Sequence, residues 1–305
     1  MHPLAANKLY ADFSDYSEGP LGTNLLRLLY GIIDRPLPTE AVHFGAVFDE
    51  EVENAVAAIE AARNVGNAQR LMDLAKTESI AWETTPVLRC HAVESLIKLG
   101  RNDEALQAIA SLEGEFPRAN RVKQLKGLAL ARKGELEAAQ LVLGELEAAG
   151  HRDPETLGIY ARTWMDRYLK TGQKNFLRTS RNYYELAFQH TPSDYYVGIN
   201  AASKSLLLDE TEKAAELAKE VEKLVGADPI AGNYWKTATV AEAQLLQRKY
   251  EQAAFLYAAA RSMAPLDYGS LCSTRDQARL LMDHLQSPPA ERARIEAVFE
   301  DVCES

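Results

Sequence analysis

The sequence predicts an all-α chain in which about five helix pairs lean on one another as a solenoid, with capping helices at both ends. Three observations carry this. A pattern of small, apolar and helix-stopping residues returns at intervals of 34 to 41 positions. Glycines lie in the turn inside two of the copies, at Gly100 and Gly134. The composition, 47% apolar and 26% charged, is that of an ordinary globular chain able to bury a core.

The repeat is read from spacing. In 100-GRNDEALQAIASLEGEFP-117, Ala105 is followed by Ile109, Leu112 and Pro117 at steps of four, seven and twelve. Ala139, Leu143 and Leu146 repeat the first steps, with the proline delayed to Pro154. Ser180, Tyr184, Ala187 and Pro192 keep all three steps, as do Ala253, Tyr257, Ala260 and Pro265. A weaker copy runs Ala214, Ala218, Val221, Gly226. The anchors are 34, 41, 34 and 39 residues apart. Steps of three and four keep side chains on one helix face. A small anchor lets two helices approach, a larger residue one turn later fills the groove, and proline ends the helix. Upstream of each turn lies a partner helix, such as 88-LRCHAVESLIKL-99 and 120-NRVKQLKGLALARK-133. The step of 41 is assigned to a looser connection at 149–154 and extra residues at 171–177, and the step of 39 to the loop 226–233.

The ends follow other rules. Phe48, Val52, Val56 and Ile59 form one stripe of a helix over 48–66, and a shorter helix follows at 67–76. At the other end, 273–285 and 288–302 read as closing helices, with Ser287 as N-cap and Pro288 in the first turn. Residues 1–40 do not fit the repeat; 8-KLYADFSDY-16 reads as a strand and 24-NLLRLLYGII-33 as a helix. The organisation expected is a tail at 1–40, a helical repeat domain at 41–286 and a capping helix at 287–305.

Several function classes find no support. The net charge of −10 argues against nonspecific nucleic-acid binding, which rests on neutralising phosphates with Lys and Arg. No apolar run approaches the ~20 residues that cross a bilayer, so no membrane partner is expected. Cys90, Cys272 and Cys303 are widely separated, which argues for reduced thiols in a cytoplasmic setting. His91 and Glu94 stand one helical turn apart, but further ligands are not near in sequence, so no metal is expected. Nucleophile elbow, zinc-protease and P-loop motifs are absent, and no catalytic residue or cofactor is predicted.

The Ala-x3-aromatic-x2-Ala-x4-Pro pattern of Ala253, Tyr257, Ala260 and Pro265 resembles the second helix of tetratricopeptide repeats. The resemblance implies a right-handed solenoid whose first helices line an inner, concave surface. Three ordered stretches, 157-LGIYARTWMDRY-168, 194-DYYVGINAA-202 and the run starting 234-YWKTAT-239, are similar to the TRAF-binding domain of apoptosis signal-regulating kinases and its bacterial relatives. That likeness spans roughly residues 48–285 and implies a regulatory or sensing module, not a catalytic one. Bacterial members are often fused behind effectors such as Toll/interleukin-1 receptor (TIR) domains. The tail 8–33 resembles the end of such a domain.

The concave face then predicts the site. Tyr196, Asn200 and Lys204 share one stripe of a first helix. There, an Asn can hold a peptide backbone or a carboxylate, and a Lys can supply charge. Arg121, Gln124, Arg162, Asp166, Trp235 and Glu242 are expected on the same surface. The packing alternative is that Asn200 bonds a loop carbonyl while Tyr160, Tyr195, Tyr196 and Trp235 fill the space between repeats. For the aromatics, packing is the expectation; for Asn200 both readings stand. The function expected is a non-enzymatic protein-binding or sensing module that regulates or scaffolds a signalling effector of bacterial defence. The alternatives are the regulatory part of an NAD-hydrolysing TIR enzyme and a sensor of a nucleotide-like small ligand. Partners are a protein or fused effector, or a small molecule, with self-association open.

Overall fold

Helical hairpins in chain order account for nearly all of the structure, a computed structural model that describes residues 22–114, 116–265 and 268–300. Among the described residues there is no strand. The expected strand at 8–16 lies outside them. The chain divides into two compact units, residues 1–142 and 143–305.

The first unit opens with α1 (Thr23–Ile32), the long α2 (Thr39–Asn64), α3 (Ala68–Ala75) and the single turn α4 (Ile80–Thr84). Then come α5 (Pro86–Lys98), α6 (Asn102–Ala110) and α7 (Asn120–Lys133), with α8 (Leu136–Ala148) starting before the unit ends. Its core is the α2 stripe Phe48, Val52, Ala55 and Ile59 against Leu71 and Leu74 of α3 and Leu88, Val93 and Leu96 of α5. Arg89 locks the region by donating to the carbonyls of Ala75, Thr77 and Trp82 at 3.1–3.2 Å, satisfying backbone acceptors the short α3 and α4 leave open.

The second unit holds four hairpins: α9 (Pro154–Thr171) with α10 (Lys174–His190), α11 (Tyr195–Leu207) with α12 (Thr211–Val225), α13 (Tyr234–Leu246) with α14 (Tyr250–Met263), and α15 (Tyr268–Leu285) with α16 (Pro289–Glu296). Each packs on the next in chain order. The periodic anchors Ala105, Ala139, Ser180, Ala214 and Ala253 all lie in second helices and all are buried. Ser180 is tolerated among alanines because its hydroxyl donates to the Ala161 carbonyl at 2.7 Å.

Several turns inside the hairpins share one chemistry, whereas the α9–α10 turn closes by Gly172 N–H on the Tyr168 carbonyl. Glu135 N–H donates to the Leu130 carbonyl, Glu210 to Ser205, Lys249 to Gln244 and Ser287 to Met282. This six-residue closure needs a left-handed residue at the helix end. Gly134 supplies it with φ 84°, but Asp209 (68°), Arg248 (60°) and Gln286 (51°) do so without being glycine.

Three expectations need correction. The step of 41 comes from helix length: α9 and α10 have 18 and 17 residues against 14 and 13 in α7 and α8. The last helix begins at Pro289 with Pro288 as its N-cap, because the Ser287 hydroxyl turns to the Tyr250 hydroxyl at 3.4 Å. It ends early in a tight turn at Ala297–Phe299, where buried Phe299 meets the Tyr257 ring edge-on at 5.5 Å. Cys90 is a free, buried thiol, but Cys272 is disulfide-bonded, since sequence spacing does not limit which side chains folding brings together.

Candidate functional site

The site in the second unit begins with helix starts. Asp153 caps α9 by accepting from Thr156 N–H at 2.9 Å. Asp194 caps α11 through Tyr196 and Val197 N–H at 3.0 and 3.2 Å, and Asn233 caps α13 through Lys236 N–H at 3.0 Å. These caps set where each first helix begins, and therefore which residues reach the inner face. Gly198 sets how deep α11 sits: a Cβ there would lie 2.8 Å from both the Phe188 ring and a Val221 methyl.

Together α9, α11, α13 and α15 line a cavity of about 650 Å³ that is open on one side. Arg162, Tyr196, Asn200, Lys204, Trp235 and Glu242, all predicted on one surface, line it. Asp166 stands beside them, accepting from Arg162 Nε at 2.9 Å. Arg121 and Gln124 are elsewhere, in the first unit, where the Arg121 guanidinium donates to Gln124 at 3.3 Å and to Glu94 at 3.2 Å. Glu94, half of the His91 pair, also meets Lys98 at 2.9 Å.

Asn200 bonds within its own helix, not to a loop carbonyl as the packing alternative expected. Its amide donates to the Tyr196 carbonyl at 2.9 Å, and its oxygen accepts from Lys204 Nζ at 2.6 Å. It is a wall residue that orients another wall residue. The aromatics divide. Tyr160 is buried, but Tyr196 and Trp235 are 49% and 53% exposed at the cavity, against the packing expectation. The reason is that α11 and α13 bury their small residues against neighbouring helices and leave these rings on the open side.

Lys204 is the unusual group. It is 3% exposed, its ammonium also donates to the Ser203 hydroxyl at 3.2 Å, and it faces the Tyr184 ring at 5.3 Å. Burial pushes it down to about 8; Glu242 works against that shift and Arg162 adds to it. Burial likewise raises the Glu242 carboxyl above its ordinary range, although Lys204 and the Gln277 amide, which donates to it at 3.0 Å, oppose this.

Sequence reading missed the fourth wall. Thr274, Gln277 and Leu280 come from α15, which was expected only to close the end. Its first half packs Leu271 beside Tyr234 and Ala238, and its second half brings Leu280 to Met165 and Leu207. A signal was present: Thr274 lies 39 residues beyond Trp235, the same step that separates Ala214 from Ala253.

Among the described residues no group of three or more potential metal ligands occurs, and no helix is long and apolar enough to cross a membrane.

A family model described as Tetratricopeptide Repeats-Sensor matches residues 101–208. A thermophilic tetratricopeptide-repeat protein of Thermus thermophilus is similar in structure at 18% identity, with 66% of this chain and 100% of that one covered and a TM-score of 0.50. The C-terminal part of a repeat-containing protein from Cytophaga hutchinsonii aligns at 15% identity over 80% of this chain and 92% of that one, with a TM-score of 0.40. No curated protein matches. The chain thus carries a tetratricopeptide-like helical repeat region.

Proposed function

We propose that the chain is a non-enzymatic sensing module whose cavity in the second unit takes a small anionic ligand of nucleotide-like chemistry, and that occupancy regulates or scaffolds a signalling effector. The observation that carries this is the convergence of Arg162, Asn200, Lys204, Tyr196 and Trp235 on one cavity of about 650 Å³. That volume suits a small molecule. Half-exposed rings at Tyr196 and Trp235 offer faces for a planar group, and Arg162 offers a guanidinium for an anion. The sensor description of the matching family model agrees with this reading. The wider assignment, an effector of bacterial defence with a TIR-type NAD-hydrolysing enzyme as one form, rests on the sequence resemblance alone.

The test is thermal unfolding of the full chain against a panel of nucleotides. A binder raises Tm with the logarithm of ligand concentration over Kd, and Asn200→Ala or Lys204→Ala removes the rise. A flat response to the whole panel rules out the nucleotide-like ligand. A second reading is a protein partner, favoured by the exposed Trp235 in a fold of this class. It predicts a complex recovered by pull-down and lost in Trp235→Ala, with the nucleotide panel silent.

A further inference from the structure

The environment of Lys204 has a consequence beyond charge recognition. A lysine in a protein wall is usually matched by a carboxylate. Here its nitrogen meets two neutral acceptors instead, Asn200 Oδ1 at 2.6 Å and Ser203 Oγ at 3.2 Å, and no described carboxylate lies within ion-pair distance of it. Two acceptors match the two N–H groups of an uncharged amine, whereas an ammonium carries three donors. The groups facing it are Arg162 and Asp166 from α9, the Tyr184 ring from α10, and Glu242 from α13, with Gln277 of α15 behind Glu242.

We propose that Lys204 is a covalent capture site: its amine forms a reversible imine with the carbonyl group of a small anionic aldehyde or ketone held in the cavity. The inference rests on the small-ligand reading of this cavity and adds the reactive group of the ligand. The uncharged amine attacks the carbonyl carbon; the N–C bond forms as the C=O π pair moves to oxygen, which takes up a proton while nitrogen releases one. The resulting carbinolamine loses its hydroxyl, protonated, as water while the nitrogen lone pair closes the C=N bond. Amine and carbonyl give imine and water, with no oxidation or reduction, and hydrolysis reverses it. Glu242, on the neighbouring α13 wall, donates and recovers the proton. Its burial favours the protonated form that dehydration needs. With Lys204 held near 8, on the order of a tenth of it is uncharged at neutral pH, against about a thousandth of an ordinary surface lysine. Arg162, whose Nε alone is engaged by Asp166, is placed to hold the anionic group.

The experiment uses the full chain at pH 7.5 with pyridoxal 5′-phosphate as the probe, a ring-bearing aldehyde with a phosphate. Borohydride reduction follows, and adducts are mapped by peptide mass spectrometry. Lys204 is expected to be trapped at least about tenfold faster than the median lysine, in line with its larger uncharged fraction. Glu242→Gln slows trapping at Lys204 and leaves surface lysines unchanged. Lys204→Arg, with its fold checked by circular dichroism, keeps the cation and gives no adduct at that position. Labelling spread over surface lysines, with Lys204 no faster than they are, overturns the inference. A thermal shift from a bound nucleotide together with an untrapped Lys204 also overturns it, while leaving the small-ligand reading intact.

Discussion

Two neighbouring helices of one hairpin, α11 and α12, solve different problems with nearly the same length. Of its thirteen residues α11 buries ten, whereas α12 buries three of fifteen, Ala214, Ala218 and Val221. The cause is position: α11 is packed by α10, α12, α13 and α15, while α12 packs on α11 and α13, reaches α10 through the Lys213–Glu185 ion pair and turns its other side to solvent. A middle helix has only the narrow strip at the cavity open to solvent, so most of its polar residues must sit inside. Ser203, Lys204 and Ser205 are therefore inside, and chemistry follows from where they are held. An outer helix shows its burial as spacing, which is why the repeat was readable there.

The contrast can be broken most strongly at Lys204. Its pKa is lowered on folding, from 10.5 to about 8, so the unfolded chain binds more protons between those values. The native state therefore gains stability as pH rises from about 8 to 10.5. Below about 8 both states are protonated and the full burial penalty is present. Lys204→Met abolishes that slope, so its stability relative to wild type should fall by about 3 kcal/mol across the window in paired urea titrations. Equal pH profiles for the two proteins would mean that the lysine is not buried as described.

Next in size is Gly198→Ala. The added methyl meets the buried Phe188 ring and Val221, neither able to retreat, so a loss of about 2 kcal/mol is expected by denaturant unfolding. Asp194→Ala removes the cap that accepts from Tyr196 and Val197, for about 1 kcal/mol by the same measurement. The outer helix supplies the smallest effect: Leu224→Ala, at a 42% exposed position of α12, should change stability by under about 0.5 kcal/mol. A large loss at Leu224 with a small one at Gly198 would reverse the assignment of middle and outer layers.

Legibility followed the same division. The anchors Ala105, Ala139, Ser180, Ala214 and Ala253 were found from spacing, because a close helix contact admits only small side chains. Two of the hairpin turns were marked by Gly100 and Gly134, but those at Asp209, Arg248 and Gln286 were not, since a non-glycine holds the left-handed conformation there. For the cavity, one helix stripe was enough to group Tyr196, Asn200 and Lys204. Placing Arg162, Trp235 and Glu242 beside them needed only the assumption that first helices share a face. The same assumption placed Arg121 and Gln124 with them, and there a Glu94 ion pair takes the arginine instead.

By itself, then, the sequence determined the helical-repeat class and which small residues sit at helix contacts, because both are local consequences of period and side-chain volume. Only the tertiary structure decided that Lys204 is enclosed, that Trp235 and Tyr196 stay half open, and that α15 provides the fourth wall. Those features depend on how far each helix tilts and which neighbours surround it. Desolvation, the force that perturbs Lys204 and Glu242, is a property of that surrounding volume and leaves no trace in residue order.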